Sequence, residues 1–392
     1  MDRVCCRRGA CVVVVALGAW LMSASAALAS GWSLESAPFP AGASDGNLHG
    51  VSCSSPGACA AVGSLFVSAS SVLAEGWDGA SWSLQSVPSP TGSRSGLDAV
   101  SCTSRNACTA IGTAYSLSGI SSVSVALAEH WNGARWSMQP SATVQDASLM
   151  GLACASPRFC VAVGSKASRS NPVLIERWNG IKWSTQRTPS TPNALYLAGV
   201  SCSAPSACTA VGDYAQFGGP QGGGALVERW NSRRWSIEQT AKPSRATGWW
   251  LHAVSCASQS ACTAAGGYNT DARSGLMLVE RWNGTSWSIQ RPVSPAGAAS
   301  GSPGSSSLSG VSCPSGTACT AVGGYYDAAR LHHLSLAERW NGVRWSIQRT
   351  PTPAGATGSV LSGVSCSRVS VCTAVGSING QLPLVERWGS AR

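Results

Sequence analysis

From residue 30 onward, apolar positions fall in short runs separated by Gly, Pro and Ser, and no long stretch repeats with the 3.6-residue period of a helix. That pattern predicts many short strands. The runs also recur. VSCSSPGACAAVG (51–63) is followed by VSCTSRNACTAIG (100–112), LACASPRFCVAVG (152–164), VSCSAPSACTAVG (200–212), VSCASQSACTAAG (254–266), VSCPSGTACTAVG (311–323) and VSCSRVSVCTAVG (364–376). The first cysteines of these seven copies are spaced by 48 to 57 residues. A period near 50 points to a propeller, a solenoid or a linear array.

A second signature follows the first. ERWNGVRWSIQ (338–348) has counterparts in EGWDGASWSLQ, EHWNGARWSMQ, ERWNGIKWSTQ, ERWNSRRWSIE and ERWNGTSWSIQ. One unit therefore reads as four strands: L-x-G-V-S-C, C-T-A-V-G, L-x-E-R-W and W-S-I-Q. The Asn-Gly between the tryptophans is a hairpin signal, and the flanking indoles are expected to face each other across it.

Strands 1 and 2 are built largely from Gly, Ala, Ser, Val and Cys, whereas strands 3 and 4 carry Trp. Blades that converge on an axis leave a wedge widening outward, which small inner and large outer residues fill; a straight stack gives no reason for such a gradient. The chain ends choose a ring. The last unit stops after LVERW without a W-S-x-Q strand, and Gly31-Trp32-Ser33-Leu34-Glu35-Ser36 supplies one with no unit before it. The expected fold is all-β: a seven-bladed β-propeller with four-stranded blades, in which residues 31–36 complete blade 7 and remove two open sheet edges.

With these repeats the chain resembles secreted bacterial seven-bladed β-propellers, distantly of the Asp-box and kelch types. More closely it is similar to Cys- and Trp-rich repeat proteins of exported bacterial proteomes, a group without an assigned function. An Asp-box has the form S-x-D-x-G-x-T-W; E-R-W-N-G-x-x-W keeps the Gly-to-Trp spacing but puts Trp340, Trp282 and Trp178 where the Asp stands. What the resemblance implies is the architecture over residues 31–392, with a sialidase-like activity as a secondary implication.

The N-terminus, MDRVCCRRGACVVVVALGAWLMSASAALASGW, has a basic start, an apolar run from Cys11 to Met22 and an Ala27-Leu28-Ala29 end. This is the layout of a secretory signal peptide over 1–29, leaving 30–392 as one propeller domain. The apolar run is shorter than the roughly 20 residues that span a bilayer, so no stable membrane span is expected after cleavage. Removing 1–29 takes the formal charge from +10 to +8. The remaining basic residues are scattered, which is not a nucleic-acid footprint.

Of 17 cysteines, three (Cys5, Cys6, Cys11) lie in the leader and 14 remain. One Cys-x5-Cys pair alone could be half a metal site, a redox pair or a staple. Seven pairs, each across a strand 1–2 turn in an exported chain, read as disulfides. The expected bridges are Cys53–Cys59, Cys102–Cys108, Cys154–Cys160, Cys202–Cys208, Cys256–Cys262, Cys313–Cys319 and Cys366–Cys372. A zinc site would need two further ligands, which no repeated His or Cys supplies; no metal and no cofactor are expected.

Strand 3 places Glu75, Glu129, Glu176, Glu228, Glu280, Glu338 and Glu386 in one slot. Seven copies of a carboxylate are structural, and are expected to contact Arg177, Arg229, Arg281, Arg339 and Arg387 or strand backbone. The 1–2 and 3–4 turns are uniform, whereas the 2–3 and 4–1 connections vary in length and chemistry, as a binding face does. Aromatic residues outside the repeat slots gather there on consecutive blades: Tyr214, Phe217, Trp249, Trp250, Tyr268, Tyr325 and Tyr326, with His252, His332 and His333 near in sequence. Aromatic faces among polar groups suit sugar rings or a protein contact. Asp213, Asp271 and Asp327, on 2–3 connections of adjacent blades, are the candidate carboxylates for glycoside hydrolysis. His49, Asp98 and His252 share the second position of strand 1, near the channel mouth.

The expectation is a secreted or envelope-associated monomer that binds an extracellular glycan or protein through the 2–3/4–1 face. A carbohydrate-active hydrolase or lyase, and a purely structural envelope component, are the alternatives; an enzyme is the less favoured reading.

Overall fold

A computed structural model of the protein describes residues 31–389 apart from 67–69, 91–92, 119–120, 141–145, 169–170, 190–192, 215–222 and 300–305. The leader expected over 1–29 and the candidate Phe217 lie outside the described residues. Those described form 28 strands in seven four-stranded antiparallel sheets, with no helix among them. Each sheet is one repeat, from blade 1 at Asp45–Leu84 to blade 6 at Ser307–Gln348. Blade 7 joins Ser359–Arg368, Val371–Ile378 and Leu382–Gly389 to the N-terminal strand Gly31–Glu35, with Trp32 opposite Trp388. First strands meet their neighbours around the whole ring, including that of blade 7 against that of blade 1. The protein is a closed seven-bladed β-propeller.

The core is divided into seven wedges, each shared by two blades. Leu48, Trp77 and Trp82 of blade 1, for example, pack with Val375 and Val385 of blade 7. The expected gradient holds, with one addition: a leucine of each first strand, Leu48 through Leu361, is sealed from solvent in the wedge. The facing tryptophans pair as expected, with centroids 5.7–5.9 Å apart. All seven expected disulfides are formed, their Cα atoms 3.9–4.0 Å apart.

Two repeated residues owe their place to backbone approach. The Gly ending C-T-A-V-G lies against the first strand so closely that a Cβ at Gly164 would sit 1.9 Å from the Ser148 carbonyl oxygen, and the other six copies are as tight. Beside it the first strand bulges, with no partner for the residue between Leu48 and Gly50 or for its counterparts. The Ser of V-S-C has a different role. Its hydroxyl accepts the backbone N–H of the next blade's first cysteine, as in Ser52 to Cys102 and Ser255 to Cys313, both at 2.9 Å.

The repeated Glu and Arg do not pair with each other. Neighbours in a strand point to opposite faces, so the glutamates enter the wedge and the arginines turn to the other side. Arg229, Arg281, Arg339 and Arg387 lie 4.3–4.7 Å from a Trp ring of the next blade, and Arg177 lies 6.0 Å from Phe159. The backbone alternative holds for Glu280 and Glu338, whose Oε2 atoms accept the N–H groups of Ala241 at 3.2 Å and Val293 at 3.0 Å.

Candidate functional site

The varied face is built from hairpin arms more than from loops. Strands 2 and 3 of blade 6 run on to Ala318–Asp327 and His332–Trp340, so Tyr325 opposes Leu334 and Tyr326 opposes His333 in register. Tyr268 lies in Ala261–Thr270, Tyr214 ends Ala207–Tyr214, and Trp249 and Trp250 belong to the first strand of blade 5, Ala246–Ser258. These stretches, expected as connections, extend the strands instead. In blade 6 the turn comes only at Asp327, whose Oδ1 accepts the N–H groups of Ala329 and Arg330.

These aromatics differ in surroundings. Trp249 and Tyr268 pack on the wedge between blades 4 and 5. The Lys242 ammonium lies 5.3 Å from the Trp249 ring. Tyr214 packs on the wedge between blades 3 and 4. Trp250 crowds Gly267 and lies 6.3 Å from the His252 ring. Tyr326 meets His333 edge-on at 5.3 Å. All are half-buried.

Tyr325 lines a large recess. A groove of about 810 Å³ opens between the blade 6 hairpin and the 6–7 connection, bordered by Tyr325, Asp327, Arg330, Arg349, Thr350 and Trp32. Its rim is fixed by the 5–6 connection: Ala299 donates to the Tyr326 carbonyl and Ala328 to that of Gly297, each at 3.0 Å. Burial raises the Tyr325 phenol, the Asp327 charge raises it further, and the Arg330 charge opposes both. The groove thus offers an aromatic ring, a carboxylate, two guanidinium groups and hydroxyls, a set able to stack on and hydrogen-bond a polar ligand. Arg330, Arg349 and Thr350 were not singled out in the sequence; the only available signal was their place in varied connections.

A second recess, of about 480 Å³, lies at the channel mouth with His49, Asp98, Arg94, Tyr115, Ser148 and Met150 on its walls. The bulged residues His49, Asp98 and Met150 line this recess, where His49 and Asp98 lie 3.6 Å apart. Burial raises the Asp98 carboxyl, and the neighbouring imidazole opposes that shift. His49 Nδ1 is also 3.1 Å from the Leu97 carbonyl oxygen. His252 uses the corresponding Leu308 carbonyl of blade 6 and is not brought to that pair. Among the described residues no three His, Cys, Asp or Glu side chains form a metal-ligating group.

The three candidate carboxylates have separate local settings. Asp213 accepts the Tyr196 hydroxyl and is raised by burial. Asp327 holds its own turn, and Asp271 is exposed at the blade 5 hairpin tip.

No family model matches the chain, and no curated protein matches it. Among solved structures it is similar to YCF48 bound to a D1 peptide, at 11% identity and a TM-score of 0.54, covering 92% of this chain and 97% of that one. It is also similar to the GH74 xyloglucanase of Xanthomonas campestris, at 11% identity and a TM-score of 0.50, covering 89% of this chain and 52% of that one. A fucoside-bound lectin of Aleuria aurantia matches at 13% identity and a TM-score of 0.48, covering 82% of this chain and 99% of the lectin. At these identities the likeness is one of fold.

Proposed function

We propose that the protein is an exported propeller of 30–392 that binds a polysaccharide or protein partner through its 2–3/4–1 face, with the Tyr325 groove as the principal contact. The observation that supports this reading is the groove itself, where an aromatic ring, Asp327, Arg330 and Arg349 converge on the face whose hairpins differ from blade to blade. Tyr326, Tyr268, Tyr214, Trp249 and Trp250 extend the surface around the face. The solved propellers of this fold include one bound to a peptide and a xyloglucanase. At 11% identity neither carries its ligand over, so the reading rests on this chain's own residues.

Export is supported by the leader-like N-terminus and the seven disulfides, which persist in oxidising compartments. Among the described residues no helix is long and apolar enough to cross a membrane. Glycan-array and pull-down screening of the 30–392 domain tests the binding reading. Binding that is lost on changing Tyr325→Ala with Arg330→Ala supports it; binding unchanged in that variant rejects the groove. Turnover of a fluorogenic glycoside, lost on changing Asp271 or Asp327, would favour a hydrolase instead.

A further inference from the structure

On the disulfide side of the ring, four of the seven blade junctions share a cation-binding arrangement. The strand 3 arginine of one blade lies over a Trp ring of the next and donates from Nη2 to a carbonyl of that blade's 1–2 turn. Arg387 does so with Trp77 and Pro56, Arg229 with Trp282 and Gln259, Arg281 with Trp340 and Gly316, and Arg339 with Trp388 and Val369. The hydrogen bonds are 2.5–3.0 Å long. Each guanidinium has an aromatic face and an acceptor.

At the junction of blades 1 and 2 the arginine is missing. Its position is Gly76, and a cavity of about 150 Å³ stands there. The receiving parts are still present. Trp131 and Arg105 line the cavity, and the Arg105 carbonyl is the counterpart of that of Pro56. It accepts the Trp131 Nε1–H at 3.2 Å, as the Pro56 carbonyl accepts that of Trp77 at 3.3 Å while also holding Arg387. A carbonyl oxygen has two lone pairs, so one acceptor direction at Arg105 corresponds to the bond Arg387 makes.

A second departure falls at the same junction. The 3–4 turn of five other blades begins with Asn132, Asn179, Asn231, Asn283 or Asn341, whose Oδ1 accepts the turn N–H groups. In blade 1 the residue is Asp78, which makes the same two bonds through Oδ1 at 2.8 Å and also lines the cavity. The turn therefore requires no charge there; the carboxylate adds a negative charge beside the vacant arginine place.

We propose that this cavity is a receptor for a guanidinium group, specifically an arginine side chain of a partner polypeptide. The guanidinium stacks on Trp131, donates to the Arg105 carbonyl and is attracted by Asp78. The Arg105 side chain is the internal competitor for that carboxylate. The site lies across the ring from the proposed groove, and the two readings stand or fall separately.

Calorimetric titration at low ionic strength tests this, using acetyl-Gly-Arg-Gly-amide, the same peptide with citrulline in place of arginine, and acetyl-arginine-amide. The arginine peptide is expected to bind, about tenfold more tightly than the neutral citrulline isostere. Tighter binding of the peptide than of acetyl-arginine-amide identifies a polypeptide as the source. Equal binding assigns the site to free guanidinium compounds and rejects the partner. Asp78→Asn, which installs the turn residue of five other blades, is expected to weaken binding, and Arg105→Ala to strengthen it. Gly76→Arg, with Gln85→Ala to clear the amide that would meet the new Cβ at 2.3 Å, should fill the place and abolish binding. Absence of arginine binding, or equal binding by wild type and Asp78→Asn, would overturn the proposal.

Discussion

The Ser365 hydroxyl accepts a hydrogen bond from the backbone N–H of Cys53 at 2.9 Å, joining the last blade to the first. The same contact runs from Ser52 to Cys102, Ser101 to Cys154, Ser201 to Cys256, Ser255 to Cys313 and Ser312 to Cys366. The junction of blades 3 and 4 differs because LAC replaces VSC, leaving Ala153 where the hydroxyl belongs. Ala153→Ser should complete the belt at Cys202 and stabilise the protein by about 1 kcal/mol, the usual net value of such a bond. Ser255→Ala should cost a similar amount. Reversible denaturant unfolding measures both; an unchanged midpoint for Ala153→Ser would show that the belt does not govern stability.

The glycine ending each second strand predicts a harsher outcome. At Gly164 a methyl group would meet the Ser148 carbonyl oxygen at 1.9 Å and the Leu149 Cα at 2.9 Å. Both obstacles are backbone, so relief requires separating two paired strands. Gly164→Ala is expected to cost on the order of 3 kcal/mol, at the upper end for overpacking, and to lower the melting temperature accordingly. Gly380→Ala, where no atom lies within 4 Å of the added carbon, is the control for crowding, although its φ of +69° carries a backbone cost of its own.

Much of this fold was legible because it repeats. Seven Cys-x5-Cys pairs fixed the bridges, and the surplus W-S-L-E strand at residues 31–36 announced the closure later seen opposite Arg387 and Trp388. What repetition could not convey is direction. Glu386 and Arg387 are adjacent letters that suggest an ion pair, yet the strand sends them to opposite faces. The site was less legible for the reverse reason. Arg330, Arg349 and Tyr325 meet through one hairpin and a connection that no period governs, and Gly76 became informative only when its junction could be compared with those holding an arginine.

Closure itself has two readable supports. Trp32 is 8% exposed and packs edge-on against Trp388, while Arg387 reaches across to the Trp77 ring and the Pro56 carbonyl. Trp32→Ala should cost about 3–5 kcal/mol as a buried aromatic truncation. Arg387→Ala should cost about 1–3 kcal/mol from the stacking and the hydrogen bond together. Deletion of 30–37 should be more severe than either. Thermal unfolding of the three variants checks the order, and a deletion that melts like the wild type would contradict closure by this strand.

The buried glutamates make stability depend on pH in an unusual direction. Burial raises Glu75, Glu129, Glu228 and Glu386 to about 8, and Glu176, Glu280 and Glu338 to about 7. Part of the difference is written in the connections. Ala241 and Val293, the donors to Glu280 and Glu338, lie six residues beyond the outermost Trp of the preceding blade, Trp235 or Trp287. At that position the connections entering the blades of Glu75, Glu129, Glu228 and Glu386 have Pro38, Pro88, Pro189 and Pro351, which carry no N–H. A carboxyl whose folded value exceeds its unfolded 4.5 holds more protons when folded, so its contribution is complete below 4.5 and is lost as pH rises through the folded value. The melting temperature should therefore fall between pH 5 and pH 9. Glu228→Gln should flatten that slope, matching the wild type near pH 4.5 and exceeding it at pH 9. Calorimetric scans at these pH values are the measurement, and a wild-type melting temperature that rises from pH 5 to pH 9 would show that the glutamates are ionised in the folded ring.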